Sequence, residues 1–404
     1  MTSFKPFPSL DFVKSIMANP SSSSILVSAQ APVLGFTGKP EHWVDDKGSS
    51  FQNPWPSWRA HTFRDMVSLL PESMKFPAPS KDSVEKLFPI RKPTWGADSV
   101  STTNFKDKII STWLGHACFL VEMPKRSDAA SRGVRILFDP VFSDRCSPSQ
   151  LVGPKRFTQP PCKIEEIPEV DVIVISHNHY DHMDTHTLQT LFKRQRKPHI
   201  FAPLGNGPYL RSLSIPNENM HLLDWWNRSR VEEYTLSVDI TCTPAQHFTG
   251  RGLFDRFKTL WASWVVEEVP TNDTPGDIVP RKVYFAGDTG YRAVLEGKKE
   301  EELPFCPAFK EIGEKFGGFD FAMIPIGAYS PRHFMSPIHC CPSDSVNLFK
   351  DVRAKKALGM HWGTWVLTGE DVVEPPKFTK EECEKQGVDP ENFGVCEIGE
   401  TVLF

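Results

Sequence analysis

"DVIVISHNHYDHMD", residues 171 to 184, decides the fold. Val172 to Ile175 form an unbroken apolar run of strand-forming residues, the pattern of a strand buried on both faces. Ser176 ends the run, and His177, His179, Asp181 and His182 then fall within six positions as HxHxDH. A tight turn leaving a sheet edge splays alternate side chains into one pocket, and neutral imidazoles beside a carboxylate suit Zn²⁺ and also iron. A lone histidine is most often a satisfied core or surface residue. Four metal-capable side chains packed this closely argue for a site.

Such a cluster needs further ligands, and the chain offers them in similar settings. His247 follows the apolar run "ITCTPAQ" and Asp288 follows "VYFAG", where Gly287 permits close backbone approach. His361 follows "ALGM" and precedes Trp362 and Gly363. Each stands at the end of an expected strand, where open α/β architectures place their sites. Together the five histidines and two aspartates suffice for two metal ions sharing one carboxylate.

The surrounding texture fits an α/β fold. "IISTWL", "ACFLVEM", "VRILFD", "VDVIVIS", "HIFAP", "VDITCTPA", "LWASWVVE", "KVYFAGD", "FDFAMIPI" and "ALGMHW" all read as strands. Helices are expected near 184–195, 306–316 and 342–354, and the interleaving suggests sheets covered by helices. Residues 1–107 differ: rich in Pro, Ser and aromatics, they read as an N-terminal extension with one amphipathic helix from Trp58, ahead of a catalytic domain at 108–404. The formal net charge of -4 argues against a nucleic-acid partner. Nine scattered cysteines without a CxxC pair read as reduced thiols, so an intracellular address is expected. The N-terminus lacks a secretory apolar region, and a mitochondrial address stays open. No apolar run approaches the length of a membrane span.

The segments "FQNPWPSW" (51–58), "TWLGHACFLVEM" (112–123), "ILFDPVFSDRCSP" (136–148), "GPKRF" (153–157), "ISHNHYDHMD" (175–184), "PAQHF" (244–248), "LWASW" (260–264), "FAGDTGY" (285–291), "FDFAMIPIGAY" (319–329) and "HWGT" (361–364) carry a resemblance. HxHxDH with a later His, a Gly-Asp and a final His resembles the metallo-β-lactamase superfamily, with its αββα sandwich and binuclear zinc site. Within it, the chain is similar to the N-acyl-phosphatidylethanolamine-hydrolysing phospholipase D family. The resemblance implies one Zn²⁺ held by His177, His179 and His247, a second held by Asp181, His182 and His361, and Asp288 bridging the two. It also implies that His339, in "FMSPIHCCP", positions the substrate phosphate; Tyr180, inside HxHxDH, is a further candidate substrate contact. The chain departs from the family pattern at Ile338, where the family has Gln before that histidine.

On this reading Asp181, Asp288 and His339 are the catalytic side chains, and the reaction is attack of a metal-bridging hydroxide on phosphorus. Zinc lowers the pKa of bound water to about 7, so a nucleophile exists at neutral pH. Two Zn²⁺, two carboxylates and one hydroxide leave a single positive charge, which suits a singly anionic phosphodiester. The products are N-acylethanolamine and phosphatidic acid. A lipid substrate requires a membrane surface, and the aromatics of "FQNPWPSWRAHTF" and the aliphatics of "ILVSAQAPVLGF" are expected to dock there peripherally. "KRQRK" (193–197) is most simply a solvated helix end, or else a headgroup patch. The resemblance implies a homodimer. The rival readings are a nuclease of the same fold, an iron-dependent dioxygenase or thioester hydrolase, and a non-catalytic lipid-binding protein.

Overall fold

The computed structural model describes residues 25–62, 65, 79–97, 107–126, 131–194, 196–233, 236–270, 279–295 and 297–404. Most of the helix expected from Trp58 lies outside them. Two sheets face each other. One has the strand order β15-β2-β3-β4-β5-β6-β7, built from β2 (Ile110–Trp113), β3 (Phe119–Glu122), β4 (Arg135–Phe138), β5 (Val172–Val174), β6 (His199–Pro203), β7 (Met220–Leu223) and β15 (Thr401–Leu403). The other runs β1-β8-β9-β10-β11-β12-β13-β14, from β1 (Leu26–Gln30), β8 (Arg228–Glu233), β9 (Leu236–Thr243), β10 (Ser263–Glu268), β11 (Lys282–Phe285), β12 (Phe321–Pro325), β13 (Ala357–Met360) and β14 (Phe393–Gly394).

Side-chain alternation assigns the faces. Phe119, Val121, Ile136, Phe138, Val172 and Val174 point into the inter-sheet core with Trp264, Val283, Phe285 and Met323. Leu120, Leu137, Ile173 and Ile200 point the other way, onto the helices α1 (Thr185–Leu191) and α2 (Gly207–Ser212) through Leu188, Leu191 and Leu210. The second sheet is covered by α3 (Ala308–Phe316) and α4 (Pro342–Asp351), which bury Phe309, Ile312, Val346 and Leu348. The result is an αββα sandwich.

β5 pairs parallel with both β4 and β6, so all three of its residues are buried, as its continuous apolar run requires. Just beyond its end the two sheets are tied together: Ala262 N–H donates to the Ser176 carbonyl and Trp264 Nε1 to the Ile175 carbonyl. The extension joins this body, because β1 adds to the sheet edge by antiparallel pairing with β8. Phe51 is buried in the inter-sheet core and Trp55 stacks on Trp225. Ser57 Oγ donates to Gln246, and Asn53 Nδ2 donates to the carbonyl of His247. These residues of "FQNPWPSW" are therefore turned toward the protein rather than offered to a bilayer. Of "KRQRK", the described residues precede β6, at the opposite end of the sheet's parallel strands from HxHxDH. There Arg194 donates to the Ile164 and Pro168 carbonyls and Arg196 pairs with Glu169 and Glu233, so these two cations are spoken for.

Candidate metal centre

Every residue of the expected cluster stands where a strand ends. His177, His179, Asp181 and His182 occupy the loop between β5 and α1, where the Asp184 side chain caps the helix. His247 follows β9, Asp288 follows β11 and His361 follows β13. Gly287 makes the convergence possible. Its φ is +58°, and a Cβ there would stand 2.6 Å from the Ser176 Cβ and 3.0 Å from the Ala262 carbonyl oxygen. Only glycine lets the β11 end press this closely on the β5 end. Gly327 does the same under His361, whose carbonyl oxygen would lie 2.2 Å from an added Cβ.

Four overlapping groups of ligand-capable atoms form here, and two of them together contain all seven expected ligands. His177, His179, His247 and Asp288 form one, and His116, Asp181, His182 and His361 the other, each with its atoms within 4.8 Å of one another. Asp288 Oδ2 lies 3.7 Å from the Nε2 atoms of both His177 and His247, on one side. On the other it lies 3.1 Å from His182 Nε2 and 3.2 Å from His361 Nε2. Asp181 Oδ2 is 3.5 and 3.6 Å from the same two imidazoles. His339 joins from the loop before α4, its Nε2 3.8 Å from Asp288 Oδ2.

Outer partners aim these rings. Asp139 accepts from His182 Nδ1 at 2.6 Å and from Ser176 Oγ at 2.5 Å, while Ser176 Oγ in turn faces His177 Nδ1 at 2.8 Å. With the proton on Nδ1, His177 presents an Nε2 lone pair to the centre, and His182 would do so once a metal displaces its second proton. The Ile338 carbonyl, 2.8 Å from His247 Nδ1, does this for His247. That contact uses backbone, so it is independent of the side chain at 338. Such outer hydrogen bonds fix tautomer and orientation in metal sites. His116 Nε2 lies 2.9 Å from Asp181 Oδ2.

The electrostatics suit a cation-binding site. Burial holds His177 and His247 well below their usual pKa, His179 at about 4, and His116 and His339 at about 3, so these imidazoles are neutral at physiological pH. Burial also opposes charge on Asp181 and Asp288, yet the facing histidines, His182 foremost, keep both carboxyls well below the ordinary range. His361 is opposed by burial too, but Asp288 and Asp181 outweigh it and lift it to about 9. Burial opposes charge on His182 as well, but Asp288 and Asp181 raise its pKa well above the usual value. In the metal-free protein the protons on His182 and His361 therefore offset the two buried carboxylates, and divalent cations would take their place. Buried polar atoms are nearly always paired. His182 Nε2, both nitrogens of His361 and Asp288 Oδ1 nonetheless make no hydrogen bond. The Nε2 atoms of His182 and His361 and the Asp288 carboxylate face one another where a divalent cation would complete them, so the donor set fits divalent metal.

Two site residues escaped the sequence reading, His116 and Asp139. Each follows an apolar strand, "ISTWL" and "ILF", the same signal that marked His247 and His361. His116, Asp139 and His361 also share a left-handed backbone, with φ of 52°, 37° and 63°. Such conformations cost about 1–3 kcal/mol each and concentrate at functional sites. Tyr180 is half-buried at the rim; its hydroxyl donates to the Arg251 carbonyl, and the Arg251 guanidinium lies 3.9 Å over its ring.

A sandwich of this form with paired His and Asp clusters at its strand ends defines a metal-dependent hydrolase of the metallo-β-lactamase type. Comparison agrees: the beta-lactamase superfamily domain matches residues 134–362. The chain is 37% identical over 278 residues to N-acyl-phosphatidylethanolamine-hydrolyzing phospholipase D 1 of Caenorhabditis elegans, covering 68% of this chain and 69% of that protein. It is 32% identical over 358 residues to the mitochondrial N-acyl-phosphatidylethanolamine-hydrolyzing phospholipase D of Saccharomyces cerevisiae, covering 80% and 69%. Among solved structures, isothiocyanate hydrolase from Delia radicum gut bacteria matches with a TM-score of 0.51 at 16% identity, over 73% of this chain and 99% of that one, a likeness of fold alone. The chain belongs to the N-acyl-phosphatidylethanolamine-hydrolysing phospholipase D family. Among the described residues, no helix is long and apolar enough to cross a membrane.

Proposed function

We propose that this enzyme hydrolyses the phosphodiester of N-acyl-phosphatidylethanolamine, adding water across the P–O bond on the ethanolamide side to release N-acylethanolamine and phosphatidic acid. The observation that carries the reading is the position of Asp288 Oδ2, 3.1 to 3.8 Å from five imidazole nitrogens drawn from four separate chain segments. Substrate class is supported by the named activity of the two relatives above.

His177, His179 and His247 would hold one Zn²⁺ and Asp181, His182 and His361 the other, with Asp288 shared. When bound, such a pair supplies Lewis acidity toward a phosphoryl oxygen and an activated water near neutral pH. The protein side chains do the rest. Asp139 and the Ile338 carbonyl keep the imidazole lone pairs aimed inward, and His116 steadies the Asp181 carboxylate. His339, neutral and buried, offers an N–H toward the shared carboxylate's side of the centre, where it donates to the substrate phosphate or the departing oxygen. Ile338 is buried, and its polar contact to the centre is made by its backbone carbonyl. Tyr180, at the half-buried rim, contacts the entering headgroup. The enzyme works as a peripheral protein on an intracellular membrane, as a homodimer.

The test is product analysis on vesicles containing N-acyl-phosphatidylethanolamine, with RNA as a parallel substrate. Phosphatidic acid release that stops on chelation and returns with zinc is the expected result. Cleavage of RNA alone, or lipid hydrolysis undiminished after complete metal removal, would overturn the reading.

A further inference from the structure

The site's rim is formed by His179, Tyr180 and Asp181, which are half-buried while the ligands behind them are not. Two loops are hydrogen-bonded to the segment that carries this rim, and each presents an adjacent pair of apolar side chains to solvent. In the first, Leu253 and Phe254 are 91% and 92% exposed. In the second, Leu151 and Val152 are 86% and 65% exposed. Isolated exposed aliphatics are ordinary, but an adjacent exposed pair on each of two loops tied to one segment is not.

Both loops are anchored to the same eight-residue stretch, 178 to 185, that carries the metal-capable loop. Arg251 Nη1 donates to the carbonyls of Asn178 and Met183, and Gly250 N–H donates to Asn178 Oδ1. On the other side, Phe142 and Ser143 N–H groups donate to the Asp184 carboxylate. Neither tip is slack. The Asp255 carboxylate accepts from the N–H groups of Arg251 and Gly252, which shapes the turn that holds Leu253 and Phe254 out. In the other, Arg145 and Lys155 form an isolated antiparallel bridge at the loop base, and the Arg145 guanidinium donates to the carbonyls of Gln150 and Gly153. Ordered backbone that displays apolar side chains with no core to join is suited to a surface that receives them.

Charge names the surface. The chain as a whole carries -4, yet the outward-facing charges of each loop are net positive: Arg145 and Lys155 with Asp144, and Arg256 and Lys258 with Asp255, while Arg156 and Arg251 are turned inward. Arg256 lies over the Phe248 ring next to His247, so this positive charge adjoins the site itself. Apolar tips that enter the acyl boundary, flanked by cations at headgroup level, are how peripheral proteins hold anionic bilayers.

We propose that Leu253–Phe254 and Leu151–Val152 are paired membrane-insertion tips that seat the metal centre's mouth on an anionic phospholipid surface. The proposal rests on the lipid-hydrolase reading. A lipid drawn from that bilayer then reaches the half-buried rim without crossing bulk water.

The test uses the full chain in two double variants, L253S/F254S and L151S/V152S. Their partitioning onto equimolar phosphatidylcholine–phosphatidylserine vesicles and onto phosphatidylcholine alone is measured by co-sedimentation. Each variant should partition onto the mixed vesicles about tenfold or more weakly than the unaltered protein. Omitting phosphatidylserine should weaken the unaltered protein as well. Turnover of the water-soluble diester bis-para-nitrophenyl phosphate, made by no membrane contact, should be unchanged in both variants. Vesicle binding equal to that of the unaltered protein in both variants would overturn the proposal. So would a shift from dimer to monomer with vesicle binding retained, which would assign the tips to a copy-to-copy contact. Failure of the hydrolase reading is separate, since it would remove diester turnover from the unaltered protein while leaving its vesicle binding in place.

Discussion

Asp139 touches no ligand-free space in the centre, yet its replacement should weaken both metal pockets at once. Its carboxylate accepts three hydrogen bonds, from Ser176 N–H, Ser176 Oγ and His182 Nδ1. Through Ser176 it also governs His177, a ligand candidate of the other pocket. Asp139→Asn keeps the shape but turns one acceptor into a donor, which must face an N–H or O–H that also donates. Losing a charge-assisted hydrogen bond costs about 1.5–3 kcal/mol. At about 1.4 kcal/mol per factor of ten this corresponds to roughly 10- to 100-fold in metal affinity, the range found for outer-sphere changes. The assay is competition between apo-protein and a chromogenic chelator, resolved into two binding steps. Both steps should weaken in Asp139→Asn, whereas Ser176→Ala should weaken only the step that uses His177. If Asp139→Asn folds normally and takes up both ions as tightly as the unaltered protein, the relay from one carboxylate to two imidazoles is wrong.

Further outcomes follow from the same geometry. Asp288→Asn removes the one carboxylate common to both groups, so metal content and hydrolysis should fall together by two orders of magnitude or more, roughly; elemental analysis beside activity checks this. His116→Phe removes the donor 2.9 Å from Asp181 Oδ2, and should weaken the Asp181 pocket about tenfold while sparing the His177 pocket. Gly287→Ala places a methyl 2.6 Å from the Ser176 Cβ at a φ of +58°, and should cost about 2–4 kcal/mol in denaturant unfolding. In metal-free protein the His361 pKa stands raised, at about 9. The stability its proton contributes is therefore complete below about 6.5 and lost as pH rises through 9. Melting of the metal-free form should decline across that window, and metal-loaded protein, in which the proton is already displaced, should not share the slope.

Much of the site was legible because the fold announces it repeatedly in the same way. Val172–Ile175, Val283–Phe285 and Ala357–Met360 are apolar runs that end in a polar residue, and in a sheet with parallel strands those ends gather at one edge. His116 and Asp139 stand at equivalent strand ends and carry the same signal, but their work is to orient other side chains, which no local pattern distinguishes from an ordinary buried polar group. Of the strands that went unread, β7, β14 and β15 are four residues or fewer, and β8 and β1 have mixed sequences. In "RSRVEE", β8, charged residues alternate with buried ones, and Arg230 pairs across the ladder with Asp239, so partner strands rather than propensity hold it in place. β1 is exposed at most positions and exists through its pairing with β8. The aromatics of "FQNPWPSW" looked like interface residues because amphipathic rings suit a core and a bilayer equally well. Phe51 and Trp55 were claimed by the core, whereas Leu253 and Phe254, in a short loop with no periodicity, were left outside.

The measurement that bears most directly on the whole account is an anomalous-difference map from a crystal of the metal-loaded protein, collected at the zinc edge. Two peaks should appear, one on each side of Asp288 Oδ2, the first among His177, His179 and His247 and the second among Asp181, His182 and His361. A single peak, a peak outside these seven side chains, or no anomalous signal in protein that still hydrolyses lipid would contradict it.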